Sequence, residues 1–188
     1  MDFIEIYDQA LPSKYCDEII EYIENKKEEL IKGRVGSSQE INPKKKETWE
    51  LPGVQFSNQT SIDKYVYECL VKCTYKYMEK YPVITGNISQ WNVENKYNLQ
   101  KYDPGKAYWA PHCEQSSLFS GRRLLVWMLY LNTISEGGGT RFNCYRKDIQ
   151  AKQGRFVIWP AGWTHTHQGI VSNIQTKYIA TGWYSFEE

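Results

Sequence analysis

Histidine, net charge and long apolar runs are all scarce in this 188-residue chain. Its 22 acidic and 23 basic residues nearly balance, so it lacks the strongly basic character of a dedicated nucleic-acid-binding protein. No apolar run approaches the roughly 20 residues that a membrane-spanning helix needs. The sequence therefore predicts one domain with neither a membrane nor a nucleic-acid partner, and it leaves small anionic substrates open.

The five cysteines are an odd number, contain no C-x-x-C pair and lack the spacing of a secreted disulfide scaffold. The opening segment, Met1 to Ile6, has neither the basic region nor the apolar stretch of a secretory signal. We therefore expect reduced thiols and a cytoplasmic protein. Cys69 and Cys73 lie one helical turn apart, but no further metal ligand is near them in sequence, and we expect both to be core residues.

We expect residues 1–188 to form a single domain, with helical support over 1–95 and a β-rich half over 96–188. Apolar residues at helical spacing predict a helix around Cys16 to Ile23 and a second from Ser61 to Tyr81. The inward positions of the second helix would be Ile62, Val66, Cys69, Leu70, Cys73 and Tyr77. Between the helices, the polar stretch 33–58 is predicted to be a long loop, which in a compact domain is typically functional or disordered.

Short β-like runs follow from residue 98. The run 124–131 is apolar on both faces, as a covered central strand must be, and the glycines 137–139 predict a hairpin turn before the run 140–145. Two further strands are predicted at 155–159 and 176–184. In the last of these, the period of two places Lys177 on the same face as Ile179 and Trp183. A buried ammonium needs an anion, and no acidic residue lies between Asp148 and Glu187, so an incoming carboxylate would fit there.

All three histidines lie in two short segments, Pro111 to Glu114 and Trp159 to His167. A His with a carboxylate two residues later and a distant second His is the pattern of the 2-His-1-carboxylate facial triad, which leaves one face of a non-haem Fe(II) open. His112 and Glu114 supply the first two ligands. The distal ligand is His165 or His167, and strand periodicity does not decide between them because both fall on one face. The pattern therefore indicates an oxygenase.

Together with their neighbours, these residues resemble those of the Fe(II)/2-oxoglutarate-dependent oxygenases, in particular their prolyl 4-hydroxylase-like branch. The resemblance covers roughly residues 101–184. It rests on an ordered set of motifs: Tyr102, His112-Cys113-Glu114, Arg123, Tyr130-Leu131-Asn132, Gly138-Gly139-Thr140-Arg141-Phe142, His167 and Lys177. The resemblance implies a mainly β fold, a double-stranded β-helix or cupin-like jelly roll with N-terminal helices packed on its larger sheet.

The resemblance also implies roles for individual residues. His112, Glu114 and His167 would hold Fe(II) and form the catalytic centre. Lys177 would bind the distal carboxylate of 2-oxoglutarate, assisted by Tyr102 and Tyr130. The reaction would consume 2-oxoglutarate and O2, with ascorbate as reductant, and would couple oxidative decarboxylation to C–H hydroxylation. The spacing to Lys177 favours His167 over His165, which would line the pocket.

One position departs from the family, which usually carries Asp where Glu114 stands. The longer side chain keeps a hard oxygen ligand and favours hydroxylation over halogenation, with reduced iron affinity as a consequence to be tested. Two rival functions share this sequence. One is an oxygenase acting on a free amino acid, a small metabolite or a nucleobase. The other is a non-catalytic jelly-roll protein that binds a sugar or a structural zinc ion.

The substrate prediction depends on the predicted loop. Residues 33–58 carry the basic run Lys44-Lys45-Lys46 and Trp49, and they precede the catalytic half, as the substrate-covering loop does in the prolyl 4-hydroxylases. Such a loop would clamp an extended peptide, with a proline ring held against Trp and Tyr side chains. We therefore expect hydroxylation of prolyl residues in a peptide or protein, with the loop mobile until substrate arrives.

Overall fold

Two layers of antiparallel β-strands, with helices against the outer face of the larger layer, make up the structure. The computed structural model describes residues 1–36, 39–86 and 88–187. Its helices within these ranges are α1 (Ser13–Asn25), α2 (Ser61–Lys80) and α3 (Val83–Gly86). Single 3-10 turns occur at Lys27–Glu29, Phe56–Asn58, Ser120–Arg122 and Trp163–His165. No helix within the described ranges has the length and apolar content needed to cross a bilayer.

The strands of the described residues form a large and a small sheet. The large sheet has the order β1-β9-β6-β11-β5-β3-β2, with β4 also pairing with β11, and the small sheet has the order β10-β7-β8. The strands are β1 (Glu5–Tyr7), β2 (Ile31–Lys32), β3 (Trp49–Leu51), β4 (Trp91–Val93), β5 (Asn98–Tyr102), β6 (Arg123–Tyr130), β7 (Thr140–Phe142), β8 (Lys147–Ile149), β9 (Phe156–Pro160), β10 (His167–Gly169) and β11 (Lys177–Phe186). This is the jelly roll with N-terminal helices that the sequence predicted.

Helix α2 begins and packs as its sequence predicts. The Thr60 hydroxyl accepts a hydrogen bond from the Asp63 backbone N–H at 3.2 Å, and the Asp63 carboxylate accepts one from the Thr60 N–H at 2.9 Å. This reciprocal capping box satisfies two backbone donors that would otherwise be unpaired at the start of the helix. The six predicted inward residues are all buried, and Cys69 and Cys73 are free thiols among them. Both cysteines are therefore core residues, as expected.

Alternation along the central strands divides the interior into two cores. On β6, Leu125, Trp127 and Leu129 face the helices, whereas Val126, Met128 and Tyr130 face the space between the sheets. The same period of two applies to β11, where Ala180 and Tyr184 face the helices and Ile179 faces inward. The predicted facing of the β11 residues is confirmed. The helices therefore seal one face of the large sheet, and the other face is left for the site.

Two local predictions were wrong. The stretch 33–58 is not one loop, because Trp49–Leu51 forms β3 and pairs with β5, with Leu51 opposite Leu99. The glycines 137–139 do not turn a hairpin between β6 and β7, because these strands belong to different sheets. The glycines instead carry the chain from the large sheet to the small one. Gly137 and Gly138 both have φ of +69°, and a side chain on Gly137 would collide with the Val171 carbonyl.

Candidate functional site

Three predicted site residues, His112, Glu114 and His167, converge between the two sheets. His112 and His167 are paired across an antiparallel bridge, in which each backbone N–H donates to the other's carbonyl, at 3.0 and 2.9 Å. Glu114 follows two residues after His112, and its backbone N–H is anchored to the Ala161 carbonyl at 3.1 Å. One ligand atom from each of the three residues lies within 4.8 Å of the others.

Backbone carbonyls orient both imidazole rings. The Nδ1 atom of His112 lies 3.0 Å from the Ala110 carbonyl, and that of His167 lies 2.9 Å from the His165 carbonyl. Each Nε2 is thereby directed at Oε1 of Glu114, at 3.5 Å from His112 and 3.6 Å from His167. A hydrogen bond to one ring nitrogen fixes the tautomer that leaves the other free as a ligand. The stacked ring of Tyr108, 3.6 Å from His112 between centroids, restrains the first imidazole further.

Burial and mutual proximity set the protonation states in this cluster. Burial, together with the neighbouring His167, lowers the pKa of His112 and favours its neutral form. Burial alone would raise the pKa of Glu114, but hydrogen bonds and charge from His112 and His167 outweigh it and hold that pKa well below the usual range. Neutral imidazole and ionised carboxylate are the forms that bind a metal.

His165 points away from the cluster. It ends the 3-10 turn Trp163–His165, and its Nε2 lies 2.7 Å from the Asp2 carbonyl while Nδ1 lies 3.0 Å from the Thr164 hydroxyl. Both ring nitrogens therefore have partners outside the site. The strand period could not separate His165 from His167, because the sequence did not reveal that a 3-10 turn replaces the strand before His167.

Lys177 lies on β11, on the inner face of the large sheet, opposite Tyr102 across the β5–β11 pair. Its ammonium is 4.5 Å from the centre of the Tyr102 ring. The side chain is only 5% exposed, and among the residues that the structure describes no carboxylate forms an ion pair with it. Burial lowers the pKa of Lys177 to about 8. A cation held in this way is ready for an incoming anion.

Both predicted tyrosine partners are buried in the same core, and their hydroxyls have protein partners. The Tyr102 hydroxyl donates to Gln100 Oε1 at 2.8 Å, and the Tyr130 hydroxyl lies 2.7 Å from that of Thr140. Burial raises the pKa of both phenols, so both remain protonated and able to donate. Either phenol must turn from its present partner to donate a hydrogen bond to a bound carboxylate.

Several residues around the site were not identified from the sequence. Gln100 continues into a buried polar chain, in which its amide donates to Glu50 at 2.8 Å and Glu50 also accepts from the buried ammonium of Lys46. The sequence assigned Lys46 to the basic run of the predicted substrate-covering loop and gave no role to Glu50. Two residues that the sequence did indicate, Trp183 on the face of Lys177 and Arg123 among the family motifs, both contact Glu114, across 69 and 9 residues of sequence. No local sequence pattern predicts a contact between residues as far apart as Trp183 and Glu114.

Residues 44–47, which include the basic run Lys44-Lys45-Lys46, lie beside residues 107–110, which precede His112. The Glu47 N–H donates to the Ala107 carbonyl at 3.0 Å, and the Ala110 N–H donates to the Lys45 carbonyl at 3.2 Å. The Trp109 indole donates to the Lys44 carbonyl at 2.7 Å. Residues 44–47 therefore form one wall next to the site.

Comparison with family models gives a match to the 2OG-Fe(II) oxygenase superfamily over residues 97–185. This segment contains the three clustered residues and Lys177. No curated protein matches the chain.

Solved structures of prolyl hydroxylases match nearly the whole chain at low identity. A viral collagen prolyl hydroxylase from Paramecium bursaria Chlorella virus-1, in complex with 2-oxoglutarate, is 20% identical, with a TM-score of 0.68 and coverage of 99% of this chain and 97% of that one. A prolyl-4-hydroxylase from Pseudomonas putida is 15% identical, with a TM-score of 0.71 and coverage of 100% and 95%. A prolyl hydroxylase from Trichoplax adhaerens, in complex with a hypoxia inducible factor peptide, is 14% identical, with a TM-score of 0.77 and coverage of 99% and 84%.

Proposed function

We propose that this protein, a 2-oxoglutarate- and Fe(II)-dependent dioxygenase that matches the 2OG-Fe(II) oxygenase superfamily over residues 97–185, hydroxylates prolyl residues in a peptide or protein. The observation that carries the proposal is the combination of a His-Glu-His cluster with a buried lysine on the inner face of the large sheet. The wall of residues 44–47 beside that cluster supports the choice of a peptide substrate.

His112, Glu114 and His167 are the residues we assign to Fe(II). The donor set fits the ion: two imidazoles and one carboxylate are the facial triad of non-haem iron, which keeps three positions open on one side. A closed structural zinc site would use four protein ligands. The cluster contains three such residues among those described. When bound, Fe(II) and 2-oxoglutarate supply the oxidising chemistry that converts the cosubstrate and O2 to succinate and carbon dioxide and hydroxylates a C–H bond.

The remaining assigned residues bind and orient the cosubstrate. Lys177 would meet the distal carboxylate of 2-oxoglutarate with a charge-assisted hydrogen bond in a water-poor pocket. Tyr102, beneath the ammonium, would shape that end of the pocket, and Tyr130 would donate to the same carboxylate on leaving Thr140. Ascorbate would serve as an external reductant.

The prolyl assignment is supported by the wall formed by residues 44–47. Tyr108 stacks on the His112 ring, and the next residue, Trp109, donates to the Lys44 carbonyl of this wall, so a proline ring would pack against the aromatic surface of Trp109. An extended peptide would lie along this wall, with Lys44 and Lys45 exposed to attract acidic neighbours. The sequence predicts that the stretch 33–58 is mobile until substrate arrives. Trp49–Leu51 of this stretch is instead paired with β5, and residues 37 and 38 lie outside the described residues.

We place the protein in the cytoplasm and retain the single-domain organisation, with support over 1–95 and a jelly roll over 96–188, as parts of this proposal. Cys16, Cys69 and Cys73 support the location, because three buried free thiols suit a reducing compartment. Packing of α1 and α2 on the large sheet, which contains Lys177, supports the single domain.

Peptide oxidation tests the substrate. The enzyme is incubated with Fe(II), 2-oxoglutarate, ascorbate and proline-containing peptides, and mass spectrometry is used to find a gain of one oxygen atom on proline. The matched controls are the same peptides with alanine in place of proline, and the enzyme with His112→Ala. Oxidation of a free amino acid or a nucleobase with no product on proline would overturn the substrate and leave the dioxygenase assignment intact.

A further inference from the structure

The two carboxylate oxygens of Glu114 lie in different surroundings. Oε1 faces the two imidazoles, at 3.5 and 3.6 Å from their Nε2 atoms. Oε2 accepts a hydrogen bond from the indole N–H of Trp183 at 2.9 Å and lies 3.3 Å from the Arg123 guanidinium. One oxygen therefore faces the metal position, and protein donors hold the other.

The donors on Oε2 are themselves fixed in place. The Arg123 guanidinium stacks 3.7 Å from the centre of the Trp183 ring, and its Nε lies 3.6 Å from Glu94. The Ser185 hydroxyl donates to the same Glu94 oxygen, and the Glu94 N–H donates to the Trp183 carbonyl at 2.8 Å. Trp183 also lies within β11, opposite Val126 of β6. Such a network holds its hydrogen-bond donors in one orientation before any ligand arrives.

We propose that Trp183 and Arg123 are positioning residues that keep Glu114 monodentate by occupying Oε2, an inference that rests on the proposed metal assignment. A carboxylate binds a metal through one oxygen or two. Glutamate has one more rotatable bond than aspartate, so it can more easily turn both oxygens toward the ion. A bidentate Glu114 would reduce three open positions to two, and the two chelating oxygens of a 2-oxo acid would then fill the site.

The test counts water molecules on a bound metal ion, so it does not depend on turnover. Mn(II) replaces Fe(II), and the proton relaxation of water reports how many exchangeable waters the bound ion carries. We expect Trp183→Phe, which removes only the indole donor and ring area, to lower the relaxation enhancement by about one third, from three waters to two. After saturation with 2-oxoglutarate, the wild type should keep about one water and the variant none.

Two further variants sharpen the comparison. Trp91→Phe is the matched control, because the Trp91 indole also donates one hydrogen bond, to the Ile84 carbonyl at 2.8 Å, but lies on β4 away from the cluster. It should behave as wild type. In a Glu114→Asp background, the shorter side chain does not reach both Trp183 and the metal position, so adding Trp183→Phe should change the water count no further.

The possible outcomes distinguish failure of the positioning role from failure of the metal assignment. Equal water counts for wild type and Trp183→Phe, with and without 2-oxoglutarate, would overturn the positioning role while Glu114→Ala still loses Mn(II). Undiminished Mn(II) binding by Glu114→Ala would instead overturn the metal assignment itself. If Trp183→Phe does not fold, Arg123→Gln tests the same oxygen, with the same direction expected and the same null result counting against the role.

Discussion

The two faces of the large sheet are built from adjacent residues of the same strands, yet they differ in almost every chemical respect. On the helix side, apolar residues such as Leu125, Trp127 and Leu129 pack against α1 and α2. The Tyr97 hydroxyl on that side donates to Asp63 at 2.7 Å, while the Trp127 indole N–H is buried without a hydrogen-bond partner among the described residues. On the inner side, Lys177 is buried without a carboxylate among the described residues. The first face is an apolar core, and the second holds a buried cation without its anion.

This contrast separates stability from function. A face of closely packed apolar side chains contributes to the free energy of unfolding, whereas a buried unpaired cation costs free energy until a ligand meets it. Proteins tolerate such a cost at binding sites. Substitutions on the helix side should therefore lower stability and leave ligand binding unchanged. Substitutions on the inner side should weaken ligand binding without lowering stability.

The largest expected effect is on the helix side. Leu129→Ala removes a fully buried side chain from the core and should lower the free energy of unfolding by about 2–5 kcal/mol. Metal and 2-oxoglutarate binding of the folded fraction should stay at the wild-type level. Denaturant unfolding measures the first and titration the second. Leu118→Ala, at a fully exposed leucine, is the matched control and should shift stability by less than about 0.5 kcal/mol. A Leu129→Ala protein of normal stability but weakened ligand binding would break the contrast.

The next effect is on the inner side. Lys177→Ala should raise the 2-oxoglutarate concentration needed for half-saturation by about tenfold to a hundredfold, the usual worth of a charge-assisted hydrogen bond. Metal binding should be unchanged, and the free energy of unfolding should be equal or higher because a buried ammonium is removed. Lys101→Ala is the control, since Lys101 is on the neighbouring strand but pairs with Glu24 at 2.8 Å. An unaltered 2-oxoglutarate requirement in Lys177→Ala would remove its assigned role.

A smaller effect should appear with pH. Burial lowers the pKa of Lys177 to about 8 in the free enzyme, so its ammonium is present below that pH and is lost above it. The 2-oxoglutarate requirement should therefore be level up to about pH 8 and rise severalfold by about pH 10. The unfolded chain, with an ordinary lysine pKa, binds the extra proton across that interval, so Lys177 makes stability rise with pH there.

Lys177→Arg provides the control for this titration. Arginine stays charged throughout the range, so the 2-oxoglutarate requirement of the variant should not follow that rise. Half-saturation is measured by succinate release at each pH. The same rise in both proteins would show that another group is titrating.

The sequence predicted those parts of the fold and site that depend on local periodicity or on motif order. Helix α2 was predicted to within one residue, and the inward facing of Lys177 followed from alternation along β11. Strand β3 was missed because it has only three residues, is followed at once by Pro52 and owes its pairing to the distant β5. Local patterns carry no information on such partners.

Contacts between side chains that are far apart in sequence were not predicted either. The contact between Trp183 and Glu114 depends on how β11 passes the segment after His112, and only the assembled sheet shows it. Strand periodicity did not separate His165 from His167, because the 3-10 turn Trp163–His165 ends the period of two, and only the motif spacing to Lys177 favoured His167. In each case tertiary structure supplied what periodicity lacks.

Iron binding by the two distal histidine variants tests the central claim most directly. His165→Ala and His167→Ala are titrated anaerobically with Fe(II) beside the wild type, with iron counted per folded protein. The assignment predicts that His165→Ala binds close to one iron ion per chain, because its ring nitrogens are bonded to Asp2 and Thr164, and that His167→Ala binds almost none. Loss of iron from His165→Ala with retention by His167→Ala would contradict the assignment.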